Sequence, residues 1–323
     1  MRRREFITLL GAAGAWAQTV RAQQTMLVIG YLSAGTPDIF ASRVRSFREG
    51  LNGQGYVEGR NVAVDYRWTG DKYDELRAAA ADLVGRKVSL IIADGPAVNP
   101  AAAATSTVPI VFWTTRDPVE AGWTASLSRP DANLTGVSGL GTELGAKRLE
   151  LLHQIVRNAR IFAVLVNSAN PVAVEYQSNV QGAADRLGVE LHSLRASSDR
   201  DLDQAFAELR ELRAGGVVIA PDLFFLSRTG QIAAEALRQA VPAAYQYREF
   251  TAAGGLISYG TNVADSFKVI GSYAGRILKG EKIAELPVQQ VTRIELIINL
   301  RTAEILGLDV PRDLVARADE LIE

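Results

Sequence analysis

Acidic side chains follow several apolar segments of the sequence, where they could bind a charged small molecule. Asp117, Asp222 and Glu249 each stand in a polar stretch shortly after such a segment. Three single acids in three separate loops favour the anchoring of a ligand ammonium group, because acid–base catalysis needs a pair of titratable groups. We therefore predict that the protein binds a ligand and that it is not an enzyme.

The same polar stretches carry groups that suit the rest of such a ligand. Backbone N–H groups at the start of helices, together with hydroxyls, bind carboxylates. The residues predicted to bind one are Ser33, Gly95, Ala97 and Thr114. An apolar or aromatic part of the ligand could lie on Trp113, Phe224 or Tyr247. These stretches predict a small-molecule site that is built from loops.

The sequence lacks the motifs of several common classes of catalytic, cofactor-binding and metal-binding site. There is no G-x-S-x-G motif, and neither His153 nor His192 has an obvious serine or acid partner. The spacing of Gly139, Gly141 and Gly145 departs from the dinucleotide-binding fingerprint. Cysteine is absent and there are only two histidines, which argues against disulfides and structural zinc. We expect no cofactor and no metal.

The stretch IFAVLVNSANP, from Ile161 to Pro171, indicates how these loops are positioned. It begins as an apolar, β-branched run, which fits a strand buried on both faces. Asn167 then begins a polar turn, and Pro171 is placed to open a helix. Asn167 is therefore another predicted ligand contact. The same pattern occurs between Leu27 and Pro37, so we predict two similar lobes.

Strands and helices alternate along the rest of the chain, which predicts an α/β fold with parallel sheets. In such sheets ligands bind outside the carboxyl ends of the strands, where the polar loops lie. The first helix carries Arg43, Arg45 and Arg48 between its apolar positions. We interpret these arginines as the solvated face of that helix.

Composition narrows the class of protein. The chain has 323 residues, 48% of them apolar and 22% charged, which is typical of a soluble protein of about two domains. Its formal net charge of −1 gives no reason to expect nucleic acid as a partner. We expect a monomer that binds a small molecule.

The first 22 residues have the pattern of a secretory signal peptide. Arg2, Arg3 and Arg4 precede an apolar span that is too short to cross a bilayer, and small residues end it. Arg3 and Arg4 also match the twin-arginine export pattern, with an ordinary secretory signal as the alternative. Because the chain has no cysteine to carry a lipid, we expect a soluble periplasmic protein without an anchor.

The segment GYVEGRN, which ends at Asn61, is the most specific of a set of motifs that covers essentially the whole mature chain in order. The further segments of the set are Ser106–Phe112, Asp117–Pro118, Arg129–Gly136, Lys147–Leu152, Asn167–Pro171, Gly254–Gly260, Ile277–Gly280, Leu286–Val288 and Asn299–Pro311. Together they resemble ABC-transporter substrate-binding proteins related to tryptophan and tyrosine binders. The family usually has Gly-Thr-Pro-Ala where this chain has Asp94-Gly-Pro-Ala97.

The resemblance implies a type I periplasmic binding fold, in which two Rossmann-like lobes with parallel sheets are joined by a multi-strand hinge. On this basis we place residues 26–137 and 257–285 in the N-terminal lobe, and residues 138–256 and 286–323 in the C-terminal lobe. The implied function is capture of an amino acid or related carboxylate and its delivery to an ABC permease in the inner membrane. A sensor partner protein remains an alternative, and a cofactor-free enzyme that uses cleft carboxylates is another.

Overall fold

The computed structural model describes residues 26–139, 141, 144–291 and 293–323, and the predicted signal peptide lies outside them. The first part of the described chain alternates strands and helices, as the sequence predicts. Its elements are β1 (Leu27–Ser33), α1 (Ala41–Gly53), β2 (Val62–Trp68), α2 (Leu76–Gly85), β3 (Leu90–Asp94), α3 (Val98–Ala104), β4 (Ile110–Thr114) and β5 (Leu134–Ser138).

The second part begins with a further series of strands and helices. Its elements are α4 (Leu144–Ile155), β6 (Ile161–Val166), α5 (Ala173–Leu187), β7 (Glu190–Arg195), α6 (Asp199–Leu212), β8 (Val217–Ile219), α7 (Leu223–Leu226), α8 (Thr229–Arg238), β9 (Ala243–Tyr245), α9 (Arg248–Ala252) and β10 (Ile257–Thr261). The remaining elements are α10 (Val263–Leu278), β11 (Gln289–Gln290), β12 (Ile294–Asn299), α11 (Leu300–Ile305), α12 (Arg312–Arg317) and β13 (Glu320–Ile322).

The first sheet has the order β2-β1-β3-β4-β5-β11, and all of its strand pairs are parallel. Its central strands β3 and β4 consist mostly of apolar residues, and all of their residues are buried. Parallel strands that are covered on both faces have this composition. Their carboxyl ends therefore lie at one edge of the sheet.

The second sheet has the order β7-β6-β8-β9-β10-β12-β13. The pairs from β7 to β10 are parallel, whereas β10 and β12 are antiparallel. This departs from the predicted parallel sheet. The reason is the path of the chain: β12 enters the sheet beside the end of β10, with Ile294 opposite Thr261.

Within the described ranges, the chain passes from one sheet to the other three times. It leaves β5 for α4, returns after β10 through α10 to β11, and leaves again for β12. Helix α10 belongs to the first lobe, because it packs closely against α1. A Cβ atom built on Gly271 would be 2.0 Å from the Phe47 carbonyl oxygen, and one on Gly50 would be 1.9 Å from the Lys268 carbonyl oxygen.

Two predicted lobe boundaries need correction. Strand β10 was assigned to the N-terminal lobe within 257–285, but it pairs with β9 and β12 in the second sheet. Strand β11 was assigned to the C-terminal lobe within 286–323, but it pairs with β5 in the first sheet. The chain crosses between the lobes after β10 and after β11, rather than before them. No helix in the described ranges is long and apolar enough to span a membrane.

Candidate functional site

The strand ends of the two lobes face each other across a cleft. The Tyr73 hydroxyl of the first lobe donates a hydrogen bond of 2.8 Å to Asp222 Oδ2 of the second lobe. Arg116 Nε also donates to Glu175 Oε2 across the cleft, at 3.2 Å. The lobes are therefore in contact at the edges where their polar loops lie.

A cavity of about 40 Å³ lies between the lobes, and we call it the Asp94 compartment. Several predicted site residues line it. From the first lobe it is lined by Asp94, Gly95, Trp113, Thr114, Thr115 and Arg116, and from the second lobe by Asn170, Asp222 and Tyr247. The ends of β3, β4 and β8 therefore meet at this point, as expected for the carboxyl edges of parallel sheets.

A larger cavity of about 280 Å³, the Arg43 compartment, also lies between the lobes. Its lining includes Ser42 and Arg43 of the first lobe, and Tyr247 belongs to the lining of both compartments. From the second lobe it is lined by Gln246, Arg248, Glu249, Ala252, Ser258, Gly260, Thr261, Glu295 and Ile297, and the segment Asn262–Ala264 completes it. The predicted contact Glu249 is thus in a different compartment from Asp222.

Four other predicted contacts do not line either compartment. Ser33 and Ala97 are fully buried beneath the loops. Asn167 is buried behind Asp222, to whose Oδ1 atom it donates a hydrogen bond of 3.0 Å. Asp117 Oδ1 accepts hydrogen bonds from the backbone N–H groups of the two residues that follow Pro118, at 2.7 and 3.2 Å. It therefore stabilises its own turn.

Asp222 is surrounded by protein donors. Its Oδ1 atom accepts from Asn167 and from the backbone N–H groups of Phe224 and Phe225, so it caps α7. Its Oδ2 atom accepts from Asn170 Nδ2 at 2.8 Å and from Tyr73. The sequence suggested Asp222 as an ammonium anchor, but its lone pairs are largely used by the protein. Its role in this arrangement is to join the two lobes.

Asp94 and Arg43 form a buried pair of opposite charges with unsatisfied atoms. Their exposed fractions are 1% and 2%, and Arg43 Nη1 lies 3.6 Å from Asp94 Oδ2, too far for a hydrogen bond. No described residue makes a hydrogen bond of ordinary length and angle to either Asp94 oxygen or to either terminal nitrogen of Arg43, although the Ser33 hydroxyl is close enough to Asp94 to stabilise its charge. Burial raises the pKa of Asp94 to about 6, although Arg43 and the Ser33 hydroxyl favour its charged form.

Aromatic rings surround the Arg43 guanidinium. Its central carbon lies 4.5 Å from the ring centre of Phe40, 5.3 Å from that of Tyr247 and 5.7 Å from that of Trp113. Such cation–π contacts compensate part of the cost of burying the charge. Phe224, in contrast, is covered by Arg228, whose guanidinium lies 3.8 Å from the ring centre. Trp113 and Tyr247, rather than Phe224, are therefore the aromatic residues of the site.

The interpretation of Arg43 as part of a solvated helix face is wrong. Arg43 is three positions after Phe40 and four before Phe47, both fully buried, so it lies on the core face of α1. That spacing was visible in the sequence and was the signal that could have identified it. The sequence showed Asp94 only as a departure from the usual motif of the family. Its burial could not be predicted, because Arg43, the residue beside it, belongs to a helix that is distant in sequence.

Comparison with known proteins gives consistent matches. Residues 37–322 match the profile of the family described as ABC transporter substrate binding protein. A tyrosine-binding protein from Clostridioides difficile (strain R20291) is 24% identical over 266 residues, which are 82% of this chain and 76% of that protein.

Solved structures match the fold over most of the chain. A conserved domain protein from Vibrio cholerae has a TM-score of 0.83 and 24% identity, covering 92% of this chain and 100% of that one. An ABC domain in complex with L-Trp from Streptococcus pneumoniae has a TM-score of 0.81 and 20% identity, with the same coverage. Two lobes with mainly parallel sheets are the predicted type I periplasmic binding fold, which other matched structures share.

Proposed function

Because the chain belongs to the ABC transporter substrate-binding protein family, we propose that it captures an amino acid between its lobes and presents it to an importer. We propose that it acts in the periplasm and that its partner is a permease in the inner membrane. The N-terminal signal pattern supports export. Closure around the ligand, without a reaction, is the proposed mechanism, since contacts from both lobes favour the closed state.

The observation that carries the proposal is the buried Asp94 carboxylate at the cleft. Within the described residues neither oxygen has a hydrogen bond of ordinary length and angle. The Arg43 guanidinium, 3.6 Å away, and the Ser33 hydroxyl offset only part of the cost of burying this group. An ammonium group of a ligand would supply the missing donors.

The aromatic residues of the site support a ligand with an apolar part. Trp113 and Tyr247 border the Asp94 compartment from opposite lobes, and both are almost fully buried. A relative is described as a tyrosine-binding protein, and a structural match holds L-Trp. We therefore propose aromatic amino acids as the first ligands to test, followed by branched ones and small carboxylates.

The test is a thermal-shift and calorimetric screen of the purified mature protein against L-amino acids and small carboxylates. A true ligand at about 100 times its Kd should stabilise the fold by roughly 2.7 kcal/mol. Asp94→Asn should reduce the binding free energy by roughly 2–5 kcal/mol, because the ammonium loses its buried partner. Asp117→Asn is the matched control, since Asp117 only caps its own turn.

Two results would contradict the proposal. One is a screen in which no amino acid or carboxylate stabilises the protein. The other is a ligand that binds Asp94→Asn and the wild-type protein equally well, which would make the Asp94–Arg43 pair a purely structural feature.

A further inference from the structure

A third cavity, which we call the outer compartment, adjoins the Asp94 compartment and has a volume of about 330 Å³. Gly95, Pro96, Arg116 and Val172 line both compartments, and the first two directly follow Asp94 in the chain. Gly95 contributes no side chain to this boundary, and a Cβ atom built on it would meet no atom within 4 Å. A ligand whose ammonium group is anchored at Asp94 would therefore have the outer compartment beside it.

Apolar side chains form most of the wall of the outer compartment. The main ones are Leu76, Pro96, Pro100, Trp123, Pro171 and Val172. Cavities that bind small molecules have volumes of roughly 300–1,000 Å³ and mostly apolar walls with a few polar groups. The outer compartment has this size and this lining, so it suits an apolar or aromatic group.

Hydrogen bonds hold the wall of the outer compartment in place in both lobes. In the first lobe, Trp123 Nε1 donates to Asn99 Oδ1 at 2.7 Å. In the second lobe, the backbone N–H of Val172 donates to Asn170 Oδ1 at 3.1 Å, and Asn170 Nδ2 donates to Asp222 Oδ2. The indole of Trp123 and the turn that carries Val172 are therefore fixed, and a ligand group would meet a preformed wall.

The charges at the outer compartment are positive. Arg77 and Arg116 line it, and among the described residues no acid does so. Glu175 lies outside the lining and compensates Arg116 in part, because Arg116 Nε donates to its Oε2 atom at 3.2 Å. A cationic ligand group in this compartment would be repelled, whereas a neutral or anionic group would not.

The Arg43 compartment is less suited to an apolar group. Among the described residues it shares only Tyr247 with the Asp94 compartment. Its lining also includes two acids, Glu249 and Glu295, and two arginines, Arg43 and Arg248. An apolar group placed there would remove water from charged side chains, which costs free energy. The outer compartment is therefore the better place for an apolar side chain.

We propose that the outer compartment receives the side chain of the captured amino acid and selects large neutral or anionic side chains over cationic ones. This inference rests on the proposed function and adds the orientation and the class of the ligand. The ammonium group lies at Asp94, and the side chain extends past Pro96 to Trp123 and Val172. Since the last two residues belong to different lobes, the side chain adds contacts that favour the closed state.

The first test fills the outer compartment with Ala103→Phe. Ala103 is an exposed residue of α3 that lines this compartment, so the substitution adds a ring there and leaves the core as it is. We expect L-tyrosine and L-tryptophan to bind this variant about tenfold more weakly in calorimetry, because their rings lose buried contact area.

Ala78→Phe is the matched control for this substitution. Ala78 is an exposed alanine of α2 that lines none of the three compartments. It should leave both affinities unchanged. If Ala103→Phe binds both amino acids as tightly as the wild type does, the side chain lies elsewhere in the cleft. That result overturns the assignment while the proposed function stands.

The second test compares two derivatives of L-phenylalanine, one with a para-carboxylate and one with a para-aminomethyl group. The wild type should bind the carboxylate derivative more tightly by about fivefold, and Arg77→Glu should reduce this preference. Arg45→Glu makes the same change in net charge at an exposed residue of α1 that lines none of the compartments. A preference for the cation, or an equal effect of both variants, would contradict the selection by charge.

A third measurement does not depend on recognition of an amino acid. The probe is p-cresol, which is the side chain of tyrosine without the charged groups. It is titrated while NMR follows the indole N–H signal of Trp123, which Trp123→Phe identifies. The probe should shift this signal in the wild type but not in Ala103→Phe, and absence of a shift in the wild type overturns the assignment. A shift without binding of any amino acid supports the compartment and contradicts the proposed ligand class.

Discussion

At the scale of single residues, the fold buries the carboxyl group of Asp94 without giving it a hydrogen bond of ordinary length and angle within the described residues. The pKa of Asp94 is about 6, above the ordinary value of 3.8, because burial disfavours its charged form. Between these two pH values the folded protein holds a proton that the unfolded chain has released. The contribution of Asp94 to stability is therefore fully present below pH 3.8 and is lost as the pH rises through about 6.

We predict that raising the pH from 4 to 7 destabilises the wild-type protein relative to Asp94→Asn. The difference should approach about 3 kcal/mol, since each pKa unit corresponds to about 1.4 kcal/mol. Urea unfolding at several pH values measures it for both proteins. Asp94→Asn removes the counter-charge of Arg43 at every pH. The comparison therefore uses the slope of the unfolding free energy against pH, and not its absolute value. Parallel pH profiles for the two proteins would contradict the prediction.

Sequence reasoning predicted ligand contacts from their position after strands. Several of these residues line the cleft in the structure, and their contact with a ligand stays a prediction. Trp113, Thr114 and Asp222 line the cleft because they end or follow parallel strands. It did not show that Asp222 would be surrounded by donors, because Tyr73 and Asn170 come from distant parts of the chain. Arg43 was missed because its charge was given more weight than its place on the apolar face.

At the scale of elements, the close contact of α1 and α10 defines the first lobe. Gly50 and Gly271 let the two helix backbones approach, and a side chain at either position would collide with a carbonyl oxygen. The alternation of strands and helices predicted the elements, since apolar runs and turn residues mark them locally. The lobe to which β10 and β11 belong depends on pairing between distant strands, and the local pattern does not carry that information.

We predict that Gly271→Ala destabilises the protein by about 1–3 kcal/mol, because the new methyl group would lie 2.0 Å from the Phe47 carbonyl oxygen. Gly230→Ala in α8 is the control, since a Cβ atom there meets no atom within 4 Å. Alanine should stabilise that helix by about 0.5–1 kcal/mol. Urea unfolding of both variants measures the effects, and equal stabilities would contradict the close packing.

At the scale of the whole molecule, polar contacts hold the lobes together at the cleft. The hydroxyl of Tyr73 donates to Asp222, and the pKa of Tyr73 is raised by burial and by that carboxylate, so the hydroxyl keeps its proton. Arg228 Nη1 also lies 3.4 Å from Asp71 Oδ2, across the same cleft. These contacts are made by the protein itself and add to those that a ligand would make.

We predict that Tyr73→Phe opens the ligand-free protein and weakens ligand binding by several fold, because the closed state loses a hydrogen bond to a buried carboxylate. Small-angle X-ray scattering should show a larger radius of gyration for this variant. Tyr273→Phe is the control: its hydroxyl donates to the Pro287 carbonyl oxygen at 2.7 Å within the first lobe. Scattering curves of Tyr73→Phe and wild type that coincide would rule out this contact as a determinant of closure.

The repeated passage of the chain between lobes has a consequence for synthesis. Helix α10 and strand β11 complete the first lobe, yet they lie after nearly the whole second lobe in the sequence. A ribosome that has produced residues 26–250 has not yet supplied the helix that covers Phe47 and Leu51 of α1. The core of the first lobe can therefore close only after the chain has been made as far as β11, although most of that lobe comes from the first half of the sequence.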